Sequence, residues 1–264
     1  MEDKLTVAVF QSTYQNGLEL NMAQLELFVE SHGSSHDLLL LPELFSSGYF
    51  MESTYLKENA IGLESPELKR VCQLAADYSV AIAYPFLEES DEKLFNTVAF
   101  IGKQGEILSV KRKAINWKSK LGLIEEAALD RAFPVVEIKG FRIGILICYE
   151  ASFPETARIL ANKDCDVIVV VAFWNEDAKN QWIYQLGARA TDNNVYVIGV
   201  NGVLGRHSCG HSMIVQPDGE IKNHLEKEAG VLTGVLEKDV LKEARKKYPY
   251  YADYLKYFSN ESIE

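Results

Sequence analysis

The chain has 264 residues, 47% of them hydrophobic and 25% charged, enough to build one soluble globular unit around a large core. Its 38 acidic against 27 basic residues give a formal net charge of −11, which argues against a nucleic-acid partner because no basic excess is left to neutralise phosphates. Cys72, Cys148, Cys165 and Cys209 are spread without a CxxC pair, a poor disulfide framework that points to a reducing compartment and so to the cytoplasm. The apolar run at residues 5–10 is too short for a signal peptide or a membrane span.

In chain order, residues 5–11 read as a strand and 21–31 as a helix carrying Met22, Leu25, Leu27, Phe28 and Val29. Residues 37–41 form a strand that stops at Pro42 and Glu43. A helix is expected over 65–78, with Leu68, Val71, Cys72 and Ala75 at helical spacing. Strands follow at 80–86, 94–101 and 106–111, the last two joined by a turn at Gly102 to Gly105. A strand pair at 135–138 and 141–147 turns around Lys139 and Gly140. After it come a helix from Pro154, with Ser152 and Glu155 as its capping box, and an apolar strand at 167–171. A helix over 179–192, strands at 195–200, 212–216, 220–222 and 231–235, and a helix from 237 to 247 complete the pattern. The tail, from about residue 248 to 264, is rich in aromatics: Tyr248, Tyr250, Tyr251, Tyr254, Tyr257 and Phe258. No linker, low-complexity tract or internal repeat stands out, so residues 1–264 are expected to form a single domain. Alternating αβ units mixed with hairpins suggest a layered α/β sandwich, not a purely parallel doubly wound sheet.

Cys148 lies between the end of a strand and the start of a helix, where the ligand sites of α/β proteins sit. Nearby backbone N–H groups there could favour its thiolate. A thiol attacking an amide also needs a base for its proton and a cation or N–H donors where the carbonyl oxygen becomes negative. Glu43 is the base candidate: Leu38 to Leu41 and Pro42 deliver its carboxylate off an apolar strand, where burial would make it a better proton acceptor near neutrality. Lys113 is the cation candidate, although a basic run such as Lys111-Arg112-Lys113 is ordinarily a solvated face.

The order Glu43, Lys113, Cys148 resembles the nitrilase-type carbon–nitrogen hydrolase family. Leu41-Pro42-Glu43 matches its first motif. Val110-Lys111-Arg112-Lys113 matches the second, where the family usually has an aromatic residue, a basic residue and the catalytic lysine. Gly144 through Cys148-Tyr149-Glu150 to Pro154-Glu155 matches the third, and the intervals between the three resemble the family's. Trp182 to Ala190, Asp192 to Asn201 and Gly210 to Gly219 extend the resemblance over nearly the whole chain.

The resemblance implies a four-layer αββα sandwich, assembled as a homodimer or a higher homo-oligomer; the aromatic tail is suited either to the core or, because exposed aromatic patches usually mark interfaces, to a subunit contact. The resemblance implies Cys148 as nucleophile, Glu43 as general base and acid, Lys113 as oxyanion stabiliser and the Tyr149 N–H as second oxyanion donor. It also implies a further glutamate between lysine and cysteine, Glu125 or Glu126. The expected substrate is a small carboxamide that releases ammonia, with N-carbamoyl amines as the runner-up class; a silent relative that binds a metabolite or a protein is the alternative. No metal or organic cofactor is implied. Phe173, Trp174 and Asn175, with Tyr49 and Trp117, are candidates for the pocket rim. Two departures stand out. Lys113 is followed by Ala114-Ile115-Asn116-Trp117 where the family commonly has Lys-x-His-Leu, and Glu150 stands in place of the usual aspartate after Cys-Tyr. Cys-Trp-Glu, typical of true nitrilases, is absent. His207, Cys209 and His211 have metal-like spacing but lack a fourth ligand nearby, and the resemblance implies a structural or pocket-wall role for His211.

Overall fold

The computed structural model describes residues 3–48, 53–117 and 125–258. The first half contains β1 (Lys4–Gln11), α1 (Leu18–His32), β2 (Leu38–Leu40), α2 (Ser53–Glu58), α3 (Pro66–Asp77), β3 (Ala81–Ser90), β4 (Lys93–Ile101), β5 (Ile107–Arg112) and β6 (Glu125–Glu126). The second contains β7 (Val135–Ile138), β8 (Phe141–Ile147), a 3-10 turn at Cys148–Ser152, α4 (Pro154–Ala161), β9 (Val167–Ala172), α5 (Lys179–Asn193) and β10 (Tyr196–Asn201). The short β11 (Val203–Leu204) and β12 (Ser208–Cys209), then β13 (Met213–Val215), β14 (Ile221–His224), β15 (Gly230–Glu237), α6 (Lys238–Lys247) and α7 (Tyr250–Phe258) follow.

Two large sheets result, and they share one pairing scheme. In the first, β1, β2 and β3 run parallel, with β15 antiparallel on one side and β4 then β5 antiparallel on the other. In the second, β8, β9 and β10 run parallel, flanked by antiparallel β7 on one side and β13 then β14 on the other. The architecture therefore repeats although the sequence carries no visible repeat: a layer constrains which positions are apolar, not which residues fill them.

Strand alternation builds the layers. Val7, Val9, Leu38, Leu40, Ala81 and Ala83 face Ile143, Ile145, Ile147, Val167, Val169 and Val171 in one core between the sheets. The opposite face of the first sheet, including Ala8, Leu39, Ile82 and Tyr84, packs on Met22, Leu25 and Phe28 of α1 and on Leu68, Val71 and Ala75 of α3. The opposite face of the second, with Leu146, Ile168, Val170 and Val197, packs on Ala157 and Leu160 of α4 and on Trp182 and Leu186 of α5. Helix, sheet, sheet, helix is the order of the four layers.

Two glycines set the approach of the outer helices. A Cβ on Gly144 would sit 2.5 Å from Leu160 Cδ2, and one on Gly199 would sit 2.4 Å from Leu186 Cδ1. Pro85 lies within β3 where β2 has stopped at Leu40; on that side the Pro85 carbonyl accepts from the Ser46 N–H and pairing resumes only at Ile61, which bonds Leu87 and Glu89, so the missing N–H costs no ladder bond. Ser65 caps α3, its Oγ accepting from the Leu68 N–H at 3.2 Å with Pro66 in the first turn.

The expected capping box before α4 does not form. The 3-10 turn takes up Ser152, whose hydroxyl bonds Gln185, and Phe153 occupies the N-cap without a side-chain bond. No residue of α7 is buried, and Tyr250, Tyr257 and Phe258 are each more than half exposed. Among the described residues no helix is long and apolar enough to cross a membrane, and all four cysteines are free.

Candidate active site

Parallel strands deliver functional groups at their C-terminal ends, and here both sheets do so. Glu43 follows β2, Cys148 follows β8 and Phe173 follows β9; Lys113 leaves the end of the antiparallel β5. The chain kinks sharply at two of these exits: Leu44 and Cys148 both have φ of 51°, in the left-handed region that non-glycine residues seldom occupy.

Glu43 is fully buried and three donors hold it. Oε1 accepts from Lys113 Nζ at 2.7 Å and from Asn96 Nδ2 at 2.7 Å, and Oε2 accepts from the Phe173 N–H at 2.8 Å. Tyr14 adds a further constraint. Its hydroxyl donates to the Glu43 carbonyl at 2.9 Å and its ring meets Phe173 edge-on at 5.2 Å. The Lys113 backbone N–H donates to the Asn96 carbonyl at 2.8 Å, so strand pairing fixes the lysine before its ammonium engages.

The thiol of Cys148 lies within interacting range of the Glu43 carboxylate, the Lys113 charge and the Phe173 N–H. Burial, then the neighbouring Glu43 carboxylate, push this thiol well above the ordinary cysteine range. Lys113 and the Phe173 N–H pull the other way without offsetting them. The Phe173 N–H favours the thiolate, as expected of a backbone donor, but burial and Glu43 outweigh it, so attack calls for a base at the moment of reaction. The residue is half-buried, leaving one side open.

The structure thus brings Glu43, Lys113 and Cys148 together. Tyr149 follows in the same turn, half-buried, with its ring edge-on to Phe153 at 5.1 Å. The other candidates separate. Glu126 is exposed and its backbone pairs with Phe95; Glu125 pairs with Leu94 at the same edge of β4. Trp174 belongs to the core and not to a rim: it is 7% exposed, its indole N–H donates to the Ala178 carbonyl at 2.9 Å, and it packs against Trp182. The Asn175 side chain caps a short turn, accepting from the Ala178 N–H at 3.0 Å. Trp117 is 47% exposed, and Tyr49 lies outside the described residues. His207 is exposed, whereas the His211 ring is buried and pairs with Glu226 at 3.4 Å; among the described residues no group of three or more side chains could hold a metal ion.

Sequence reasoning missed Asn96, Lys111 and Glu150. Asn96 could have been found as the one amide in the apolar run from Leu94 to Ile101. Lys111 sits two residues from Lys113 and therefore on the same face of the strand. It is as buried as Lys113, and its ammonium lies 2.9 Å from Glu150 Oε1. The basic run is therefore not a solvated face: of its three members Arg112 alone stays partly exposed, paired with Glu88 at 2.6 Å.

Comparison with known proteins gives this arrangement its context. A "Probable nitrilase" of Schizosaccharomyces pombe is 31% identical over 227 residues, 83% of this chain and 82% of that protein. An omega-amidase of Xenopus laevis is 30% identical over 258 residues, covering 93% of this chain and 92% of its own length. The crystal structure of an amidase from Nesterenkonia sp. superposes with a TM-score of 0.82 at 23% identity, covering 94% of this chain and 95% of that one, and so shares the fold. The profile of the carbon-nitrogen hydrolase family matches residues 6–246. With that match spanning both sheets and every strand end that meets at Glu43, the chain belongs to the carbon-nitrogen hydrolase family.

Proposed function

We propose that the protein hydrolyses a small, non-peptide carboxamide through a thioester on Cys148, releasing ammonia. The observation that carries this reading is a thiol at a strand exit beside a buried carboxylate that is itself 2.7 Å from a buried ammonium. Glu43 accepts the thiol proton as Sγ attacks the carbonyl carbon. Lys113 and the Tyr149 N–H stabilise the oxyanion. Glu43 returns the proton to the departing nitrogen, ammonia leaves, and the acyl group remains on sulfur. A water molecule deprotonated by Glu43 then cleaves the thioester, giving the carboxylic acid and the free thiol. Each step balances with amide and water in, acid and ammonia out.

The omega-amidase and amidase relatives favour a linear amide, and within that class the ω-amide of a dicarboxylic or 2-oxo acid. Homo-oligomerisation belongs to the same reading; the exposed aromatic residues of α7 favour it, and sedimentation of the full chain against one lacking residues 250–264 tests it. The activity is tested by ammonia release from a panel of amides, ω-amides, N-carbamoyl amines and nitriles, with wild type and Cys148→Ala run together. Release from amides by wild type alone is the expected result. Release from N-carbamoyl amines only would move the substrate class, and equal release by both proteins would remove Cys148 from the chemistry.

A further inference from the structure

Glu150 lies two residues beyond Cys148, fully buried, with both carboxylate oxygens engaged. Oε2 accepts from the Ile147 N–H at 2.8 Å; Oε1 accepts from the Ala114 N–H at 2.7 Å and from Lys111 Nζ at 2.9 Å. Its own carbonyl accepts from Thr156 Oγ1 at 2.8 Å, which ties the turn to α4. Ile147 immediately precedes Cys148, and Ala114 immediately follows Lys113. A single carboxylate therefore fastens the residue before the thiol to the residue after the ammonium. Cys148 needs such an anchor, since its φ of 51° is a conformation that persists only where the surroundings enforce it. Lys111 supplies the compensating charge; its ammonium also lies 4.3 Å from the Phe133 ring centroid and donates to the Arg112 carbonyl at 3.1 Å. Glu150 is one of the departures described above, and the residue it meets, Lys111, stands where the resembled family usually has an aromatic.

We infer that Glu150 is a positioning residue for the reaction, holding the Cys148 turn at its working distance from Lys113, and that Lys111 is the cation that allows a carboxylate to do this inside the protein. The inference rests on the reading of Cys148 as nucleophile and Lys113 as oxyanion stabiliser.

The test compares Glu150→Gln, Lys111→Met and the double variant in the full chain. An amide offers one oxygen where the carboxylate uses two, so Glu150→Gln disturbs the anchor, while Lys111→Met removes the ammonium and its bonds to Glu150 and the Arg112 carbonyl but leaves both backbone bonds of Glu150 in place. Three readouts are taken: the iodoacetamide alkylation rate of Cys148 located by peptide mapping, kcat and KM on the best amide, and the melting temperature. Glu150→Gln and the double variant are expected to alkylate more slowly, and to lose kcat on the order of tenfold to a hundredfold with KM little changed. Lys111→Met is expected to lower the melting temperature more than it lowers the alkylation rate. The double variant leaves no unpaired buried charge, which keeps the kinetic comparison open should a single variant fail to fold. A folded Glu150→Gln or double variant with wild-type alkylation and kcat overturns the inference. So does failure of both to fold, which would make the pair a requirement of the fold alone. Alkylation needs no substrate, so a wild type that hydrolyses no amide yet shows this dependence removes the amidase reading and leaves the positioning role standing.

Discussion

Two buried lysine–glutamate pairs leave the same strand end two residues apart, and they differ in what surrounds their carboxylates. Lys113–Glu43 and Lys111–Glu150 have N–O distances of 2.7 and 2.9 Å, and their side chains are at most 1% exposed. Glu150 is otherwise occupied by the backbone N–H groups of Ile147 and Ala114, so it joins two segments. Glu43 also has backbone and amide donors, but a thiol faces it, and the thiol's state depends on it. Burying an ion pair is costly in either place. Such a pair marks a chemical site when a reactive group lies within its field; without one it is an anchor.

The largest expected difference between the pairs is kinetic. Glu43→Gln should lower kcat by about 10²–10⁴ because base and acid are the same group. Lys113→Met should lower it by about 10²–10³ through loss of an oxyanion donor. Steady-state ammonia release measures both. Near-wild-type turnover by Glu43→Gln would erase the distinction between the pairs.

Stability should not separate them. Lys111→Met and Lys113→Met each leave a buried carboxylate uncompensated, with an expected cost of about 3–5 kcal/mol in urea unfolding. The neutral double variant of Lys111 and Glu150 should recover most of that loss.

The state of the thiol sharpens the contrast further. Because Glu43 helps hold Cys148 above its ordinary value, Glu43→Gln should move the thiolate absorbance titration to lower pH. Lys111→Met should leave that titration in place. A wild-type thiolate already present at neutral pH would contradict the account.

The smallest effect calibrates both buried pairs against a partly exposed one. Burial alone would raise Asp37, but hydrogen bonds from Lys139 and Thr6 and the Lys139 charge hold it below the ordinary value of 3.8. Its folded value is therefore the lower one. The stability it contributes is present above pH 3.8 and lost as pH falls through the folded value. Asp37→Asn should cost no more than about 1 kcal/mol near neutrality, and the difference should vanish in acid.

The strands and helices were legible because apolar alternation and helical spacing are local signals; the strands at 135–138 and 141–147 fall where expected. Pairing between distant strands leaves no local trace, so the matching order of the two sheets was not visible. Glu43 and Cys148 could be singled out at strand ends, whereas Lys113, in a run that reads as a solvated face, stood out only through the order Glu, Lys, Cys and the family resemblance it carries. Lys111 and Glu150 could not, because a lysine in a basic run looks the same whether its partner is water or a carboxylate 39 positions away. Trp174 was misplaced for a related reason: an aromatic residue at a strand exit looks like a pocket wall until Trp182 is seen to cover it.

The most direct test is intact-mass measurement of the protein quenched during turnover of a small amide, with the modified peptide then mapped. A thioester route predicts an adduct equal to the substrate less ammonia, located on Cys148 and absent from Cys148→Ala. Turnover with no adduct in wild type, together with ammonia release by Cys148→Ala at a comparable rate, would contradict a thioester route at this site.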